Sequence, residues 1–282
     1  MKVTLLGTGG PRPDPARMAT TTLVEAGGEP LLFDAGRGVM VQLVRAGIPL
    51  ASLARVFVTH HHFDHIGDLF DVMLNTWMAG RTAPLTIWGP PGTRQIVDAL
   101  TTQVYDRDIA WRTLAEPSSG GWAPVEVNDI VAGPVLSTER LTVTAEIVRH
   151  GDGLGLPEAF LRRWTCLGYR VEADGKTVAI SGDTVDCPGL ERLAAGADML
   201  VIPCFLARSE IRGDDARRLA THIIACADTV GRVAARAGVK TLVLTHHRPR
   251  PDDTLLTEIE ADVARVFTGR IVMGRDLLTL EV

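Results

Sequence analysis

His60-His61-His62-Phe63-Asp64-His65 places four of the chain's eight histidines and one carboxylate within a single short segment. The residues before it, 55–59, are typical of a buried strand, and residues 66–78 are typical of an amphipathic helix. Imidazole and carboxylate groups at the end of a strand suit zinc and, less selectively, iron or manganese. The segment therefore predicts a metal site rather than a solvated polar turn.

The length and composition are those of a globular enzyme. The chain has 282 residues, of which 46% are hydrophobic and 22% charged, and its net charge is −5. A net negative charge gives no long-range attraction for polyanions. We predict one α/β domain over residues 1–282, in which the Pro/Gly/Ser-rich segment 116–124 is a surface loop and not a linker.

The cysteines and the hydropathy pattern bear on the compartment. The four cysteines have no C-x-x-C spacing and are typical of reduced core residues. The first apolar stretch is too short for a signal peptide, and no apolar run approaches the length of a membrane span. We therefore expect a cytoplasmic protein that does not contact a membrane.

Short β-branched or leucine-rich segments alternate with helical ones along the chain. Strands are predicted at residues 3–7, 20–25, 31–34, 55–59, 85–88, 141–148, 167–172, 177–181, 199–202 and 241–245. Helices are predicted at residues 39–46, 66–78, 92–104, 226–237 and 255–267. This mixture favours sheets flanked by helices over a purely parallel, doubly wound sheet.

Three further metal-competent side chains stand at the ends of predicted strands. They are His150, Asp183 and His246. A single histidine or aspartate at a strand end is more often structural than functional. Four strand ends that each carry a metal-competent group are difficult to explain as turns, so the set indicates one metal centre.

These residues resemble the metallo-β-lactamase superfamily in order and spacing, over nearly the whole chain. The matching motifs are His60-x-His62-x-Asp64-His65, His150, Ser181-Gly182-Asp183-Thr184 and Thr245-His246. The resemblance implies a four-layer αββα sandwich with a dinuclear metal site at one edge of the two sheets. It also implies the ligand set, in which one metal is held by His60, His62 and His150, the second by Asp64, His65 and His246, and Asp183 bridges.

The same resemblance implies two Zn²⁺ ions as cofactors, with Mn²⁺ or Fe²⁺ as alternatives. Position 62 is where the flavodiiron branch has Glu, so His62 argues against a redox di-iron centre. Within the superfamily the chain resembles the ribonuclease Z and arylsulfatase-like branch. The matching segments are Leu6-Gly7-Thr8-Gly9-Gly10-Pro11, Trp88-Gly89-Pro90-Pro91-Gly92-Thr93 and the tail from His222 to His246.

Two departures separate the chain from the members of that branch that process tRNA. Those members carry a long basic arm where this chain has the turn Ala173-Asp174-Gly175-Lys176. They also place a Glu that pairs with the equivalent of His222, where this chain has Ile202-Pro203-Cys204-Phe205. We therefore expect a small-molecule ester as substrate and no tRNA. Branch analogy adds a homodimer to these expectations.

The leading hypothesis is a dinuclear metal-dependent hydrolase, in which a metal-bridging hydroxide attacks a small phosphodiester or sulfate ester. Asp64 would accept the proton of the nucleophile, and His222 would donate one to the leaving group. The alternative for His222 is a structural histidine at a helix start. Trp77, Trp88 and Tyr105 are either walls for an aromatic leaving group or core residues.

Other interpretations of the same residues stay open. The nucleophile could attack the carbonyl carbon of a lactone, thioester or β-lactam, and fold analogy does not separate these reactions. An iron-dependent persulfide dioxygenase would use one iron, which the ligands His65 and His246 argue against. A degenerate binding module would have lost ligands. Arg12 and Arg17 could meet an anionic substrate or could be solvated loop charges.

Overall fold

The computed structural model describes residues 1–116, 121–250, 252 and 254–282. Residues 117–120, the centre of the predicted surface loop, therefore lie outside the described part of the chain. The helices are α1 Val39–Arg45, α2 Phe63–Ile66, α3 Leu69–Met78, α4 Thr93–Ala99, α5 Asp106–Ala115, α6 Glu158–Leu161, α7 Pro188–Ala194, α8 Gly213–His222, α9 Ala227–Arg236 and α10 Thr254–Ala264. Short 3-10 turns at Leu50–Ser52 and Arg208–Glu210 and a π-helical turn at Leu100–Val104 complete the helical segments.

The strands in the described ranges form two seven-stranded sheets. They are β1 Lys2–Gly7, β2 Thr21–Ala26, β3 Glu29–Phe33, β4 Arg55–Phe57, β5 Leu85–Gly89, β6 Val125–Asp129, β7 Gly133–Ser137, β8 Leu141–Val148, β9 Cys166–Ala173, β10 Lys176–Ile180, β11 Met199–Pro203, β12 Thr241–Thr245, β13 Arg270–Met273 and β14 Leu278–Glu281. The first sheet has the order β14-β1-β2-β3-β4-β5-β6, and the second has the order β13-β12-β11-β10-β9-β8-β7.

The two sheets repeat one pairing pattern. In the first sheet the pairs from β14 to β3 are antiparallel and the pairs from β3 to β6 are parallel. In the second sheet the pairs from β7 to β10 are antiparallel and the pairs from β10 to β13 are parallel. Each sheet is therefore mixed, as the alternation of hairpin turns and helical segments in the sequence predicts.

The core lies in three layers of apolar side chains. The inner faces of both sheets share one cluster, in which Phe57 stacks on Phe33 and on Trp88 with ring centroids 4.9 Å apart in each pair. The outer face of the first sheet packs against α1, α3 and α4, and that of the second sheet packs against α7, α9 and α10. The four-layer αββα sandwich that the sequence predicts is confirmed.

Local structure departs from the sequence-based prediction at several elements, among them helices α5, α7 and α8, which were not predicted. The predicted helix 66–78 is divided into α2 and α3, because the chain turns at Asp68, whose carboxylate accepts a hydrogen bond from Gly38 N (2.6 Å). Edge strands β6, β7, β13 and β14 were not predicted, since their partly exposed, mixed sequences lack a clear period of two. None of the helices in the described ranges is long and apolar enough to cross a membrane.

Candidate metal centre

Four strand ends meet at one edge of the sandwich. Strand β4 of the first sheet leads into residues 58–65, which we call the ligand loop, and β8, β10 and β12 of the second sheet lead to the other three predicted ligands. Of the seven predicted ligands, all but His62 are buried. The fold thus brings together side chains that are up to 186 positions apart, from His60 to His246.

Three imidazole nitrogens converge on the side of the centre nearest solvent. His62 Nδ1 lies 3.0 Å from His60 Nε2 and 3.2 Å from His150 Nε2. The carboxylate of Asp183 is 3.9 Å from His150 Nε2. The four side chains offer ligand atoms that all lie within 4.8 Å of one another, which is the spacing expected around a single cation.

A second group lies deeper in the protein. Asp64 Oδ2 is 3.2 Å from His246 Nε2 and 3.8 Å from His65 Nε2. Asp183 also faces this group, since its Oδ1 is 3.4 Å from His65 Nε2 and its Oδ2 is 3.4 Å from His246 Nε2. The carboxylate of Asp183 therefore lies between the two groups, in the position that a bridging ligand requires.

Buried polar atoms without partners show that these residues fit a cation. His65 Nε2, Asp183 Oδ1 and both ring nitrogens of His246 are buried and have no hydrogen-bond partner among the described residues. A buried polar atom without a partner costs about 1–3 kcal/mol, and more when it is charged. A divalent cation between the imidazole and carboxylate atoms would satisfy His65 Nε2, Asp183 Oδ1 and His246 Nε2, and this donor set matches that of hydrolytic metal sites.

Asp34 orients the deeper group, although the sequence analysis assigned it no role. It follows β3 with φ +63°, a left-handed conformation, and is 2% exposed. His65 Nδ1 donates a hydrogen bond to Asp34 Oδ2 (2.7 Å). Thr59 N donates to Asp34 Oδ1 (2.8 Å), and Thr59 Oγ1 donates to Asp34 Oδ2 (2.9 Å). A carboxylate behind a ligating imidazole fixes the tautomer and leaves Nε2 for the metal. An aspartate directly after an apolar strand was the only sequence signal.

We expect Asp34→Ala to lower metal affinity or activity by about 10- to 100-fold, because the His65 ring loses its orienting partner. Calorimetric titration of the apoprotein with Zn²⁺ measures the change directly. The control is Asp71→Ala, which removes an aspartate of α3 whose carboxylate accepts a hydrogen bond from Asn75 Nδ2. Equal affinities in the two variants would contradict the role of Asp34.

Two glycines permit close approach at the centre. Gly182 has φ +60°, and a Cβ there would lie 2.8 Å from Thr59 Cβ, so a larger residue would displace Asp183. A Cβ on Gly10 would lie 2.8 Å from the ring of His246. His246 itself has φ +59°, which is unusual for a non-glycine residue and is typical of functional positions.

Asp183 and His62 already have the charges that a cation requires, whereas Asp183 and Asp34 outweigh burial and raise the pKa of His65, whose ring would lose its proton to a bound cation. Burial would raise the pKa of Asp183, but His246 and His65 outweigh it and hold that pKa well below the usual range. Burial and the neighbouring His150 lower the pKa of His62 to about 4, so its ring is neutral near pH 7. Ionised carboxylates and neutral imidazoles are the ligand forms that bind metal.

His222 lies beside the first group and not in it. Its Nδ1 donates to the carbonyl of Asp152 (2.8 Å), which leaves Nε2 as the free ring nitrogen. The next residue, Ile223, accepts a hydrogen bond from His150 Nδ1 (2.6 Å) and so orients that ligand. The carbonyl of Asp152 thus fixes the orientation of the His222 ring.

The two histidines next to predicted ligands and two of the predicted aromatic wall residues lie outside the centre. The side chain of His61 points away from the centre, and its Nε2 donates a hydrogen bond to Thr93 Oγ1 (2.9 Å). His247 is buried, and burial together with the charge of Arg17 lowers its pKa to about 3. Trp77 and Trp88 are buried in the core rather than lining the centre. The aromatic side chain that reaches the ligand loop is Trp164, whose ring centroid is 4.8 Å from that of His62.

Comparison with known proteins agrees with this geometry. The model of the beta-lactamase superfamily domain matches residues 30–247. The ribonuclease Z of Mycobacterium bovis (strain BCG / Pasteur) is 38% identical over 288 aligned positions, which cover 100% of this chain and 98% of the relative. The ribonuclease Z of Mycobacterium marinum is also 38% identical, and the alignment covers 100% of this chain and 99% of that relative.

Solved structures show the same fold. The metallo-beta-lactamase fold protein YhfI from Bacillus subtilis has a TM-score of 0.75 at 20% identity, and the match covers 99% of this chain and 98% of that one. The human tRNase Z, short form, has a TM-score of 0.72 at 22% identity, with 100% and 99% covered. At these identities the likeness concerns the fold alone.

The predictions of a small-molecule ester substrate and of no tRNA are wrong. They are overturned by the 38% identity to ribonuclease Z proteins along the entire chain. An alignment of 288 positions on a chain of 282 residues leaves room for insertions of only a few residues, so these relatives have no long additional arm either. This chain, with the short turn Ala173-Asp174-Gly175-Lys176, therefore shares the absence of a long arm with relatives named ribonuclease Z.

Three findings therefore agree. The fold is the αββα sandwich, the edge of its sheets holds a His/Asp cluster that fits a divalent cation, and full-length relatives are ribonucleases Z. The chain belongs to the metallo-β-lactamase superfamily, within its ribonuclease Z branch, and is a metal-dependent hydrolase of the phosphodiesterase type.

Proposed function

We propose that the protein is a ribonuclease that hydrolyses a phosphodiester bond in tRNA with two Zn²⁺ ions at the His/Asp cluster. The observation that carries the proposal is the full-length identity of 38% to ribonuclease Z relatives, together with the seven converging side chains. Five imidazoles and two carboxylates are a donor set that suits zinc. In this assignment His60, His62, His150 and Asp183 would hold the first metal, and Asp64, His65, His246 and Asp183 would hold the second.

Cations bound at the two groups would supply Lewis-acid charge to the phosphate oxygens and to the attacking water. The residues of the chain perform the remaining tasks. Asp64, whose pKa the neighbouring His246 keeps below its usual value despite burial, is ionised and accepts the proton of the water. His222 is held through Nδ1–H by the Asp152 carbonyl, and in its imidazolium form it donates the proton on Nε2 to the leaving oxygen, which leaves the ring neutral.

Cationic side chains beside the deeper group support an anionic substrate. The ring of Phe205 lies 6.0 Å from that of His246, and the guanidinium of Arg248 lies 5.7 Å above Phe205. Burial lowers the pKa of Arg248, and the positive charges of Arg250 and Arg12 lower it further. Glu210 forms ion pairs with Arg248 and Arg250 and neutralises part of this charge. Net positive charge remains for a phosphate.

The test is cleavage of a tRNA transcript that carries extra nucleotides after its 3′ end. The zinc-loaded protein should release the extension, chelator should stop the reaction, and metal analysis should give two Zn²⁺ per chain. Absence of RNA cleavage by protein that holds both metals would overturn the substrate assignment. A stoichiometry of one iron, with oxygen uptake on a persulfide, would overturn the hydrolytic chemistry instead.

Three further expectations from the sequence stay predictions: a single domain, a homodimer and a cytoplasmic location. The four cysteines are unpaired and buried, which supports a reducing compartment. No observation in the described residues favours a sulfate ester or a lactone over a phosphodiester. The phosphodiester is therefore the one bond that we propose as substrate.

A further inference from the structure

A cleft of about 450 Å³ opens beside the ligand loop, between the segments 91–96 and 160–164. Side chains and backbone of both segments line it, together with one residue of the ligand loop: His61, Gly92, Phe160, Arg162, Arg163 and Trp164. The described lining thus has two arginines and no acidic side chain. Trp164, which lines the cleft, connects it with the metal centre, because its ring centroid lies 4.8 Å from that of the predicted ligand His62.

An aromatic stack connects the metal centre with the cleft. Trp164 is fixed at its inner end, since Nε1 donates to the carbonyl of His150 (2.9 Å) and the ring lies 4.8 Å from that of His62. Phe160 stacks on the outer side of Trp164, with ring centroids 5.5 Å apart and planes inclined by 23°. Phe160 is 45% exposed, so a large apolar surface is presented to solvent next to the catalytic edge.

Arg163 adds an unpaired positive charge to this surface. In the part of the chain that the structure describes, its guanidinium has no ion-pair partner, and the residue is exposed. The neighbouring Arg162 is engaged, because it donates to Glu158 Oε1 at 2.6 Å. An exposed ring beside a free guanidinium matches a ligand that combines a flat π system with a phosphate.

We propose that this cleft binds one nucleotide of the RNA substrate adjacent to the scissile phosphate, with its base stacked on Phe160 and its backbone phosphate at Arg163. The inference rests on the proposed function and adds the place where the nucleobase is held. Stacking accepts every base, because each has a π face, so the subsite gives affinity and position with little sequence preference. Trp164 is a positioning residue, since it holds Phe160 and the His150 carbonyl.

A binding experiment tests the base contact without turnover. Calorimetry on the zinc-loaded protein compares adenosine 5′-monophosphate with ribose 5-phosphate, which lacks only the base. The wild type should bind the nucleotide about 10-fold or more tightly, as one base–aromatic stack provides. Phe160→Ala should abolish this difference and Phe160→Trp should restore it. Trp111→Ala, which removes an exposed aromatic side chain outside the cleft lining, should keep it.

A second measurement uses RNA. Phe160→Ala should lower kcat/KM on the extended tRNA by about 10-fold, mainly through KM, because stacking holds the substrate before and during the reaction. Arg163→Ala should reduce the slope of log(kcat/KM) against log[salt] by about 1, as loss of one phosphate contact does. Arg192→Ala, an exposed arginine paired with Glu146 elsewhere, should leave that slope unchanged.

The outcomes separate this inference from the proposed function. Equal affinity of the wild type for the nucleotide and for ribose 5-phosphate, or an unchanged preference in Phe160→Ala, overturns the subsite. If the wild type fails to cleave tRNA but Phe160→Ala still abolishes base-dependent binding, the proposed tRNA substrate is overturned and the nucleotide subsite is supported.

Discussion

Asp183→Ala is expected to remove both metals and to abolish hydrolysis of every substrate. Its carboxylate contacts ligand atoms of both groups, at 3.4 Å from His65 Nε2 and from His246 Nε2 and 3.9 Å from His150 Nε2. Metal charge contributes several kcal/mol to transition-state stabilisation, so we expect a loss of about 10³-fold or more. Metal content after dialysis and kcat/KM on the extended tRNA measure the two effects.

The matched control is Asp186→Ala, three positions further along the same loop. Asp186 is part of an exposed ion pair with Arg236 (2.8 Å) and does not contact the centre. An exposed pair contributes at most about 1 kcal/mol, so this variant should retain its metals and its activity. An Asp183→Ala variant that keeps two metals at full occupancy would contradict the bridging assignment.

His222→Ala is expected to separate proton donation from metal binding. Because seven other side chains supply the predicted ligands, the variant should keep both metals. It should slow substrates with high-pKa leaving groups, such as RNA, by about 10² to 10⁴-fold, the typical contribution of a general acid. The activated diester bis(p-nitrophenyl) phosphate should be barely affected, since p-nitrophenolate leaves without a proton.

The structure offers a control for the alternative that His222 only supports the loop after β8. Arg218, on the same helix α8, donates to the carbonyl of Leu154 (3.0 Å) and anchors the same loop. Arg218→Ala should therefore reproduce the His222→Ala phenotype if loop support is the whole role. Equal losses on good and poor leaving groups in the metal-replete His222→Ala variant would exclude proton donation. Loss of metal would instead show that His222 supports His150.

The sequence predicts the layers and the members of the cluster for a physical reason. Buried strands are apolar and short, so a polar side chain directly after one of them is conspicuous, as at His150 and Asp183. Strands that run in the same direction, as β8, β10 and β12 do, bring such ends to one edge of a sheet, and the observed edge has them together. That these side chains bind metal stays a prediction, because spacing and convergence do not measure affinity.

Other features could not be predicted because they depend on contacts across the fold. Asp34 supports His65 only through a left-handed turn that brings two distant segments together (2.7 Å), and its sequence context is that of an ordinary turn. Trp164 was unremarkable in sequence, since its role comes from the ring of His62 beside it. The expectation of no tRNA was wrong for another reason: the absence of one substrate-binding segment was treated as evidence about the substrate.

The repeated pairing pattern of the two sheets bears on the evolutionary origin of the metal centre. The ligand loop leaves the first sheet, whereas His150, Asp183 and His246 leave the second. Each ligand group draws members from both sheets, so neither repeat on its own carries a complete set. If the fold arose by duplication of one half-size ancestor, hydrolytic chemistry of this kind would require two copies, associated or fused. The catalytic centre would then belong to the interface between the two copies and not to either copy alone.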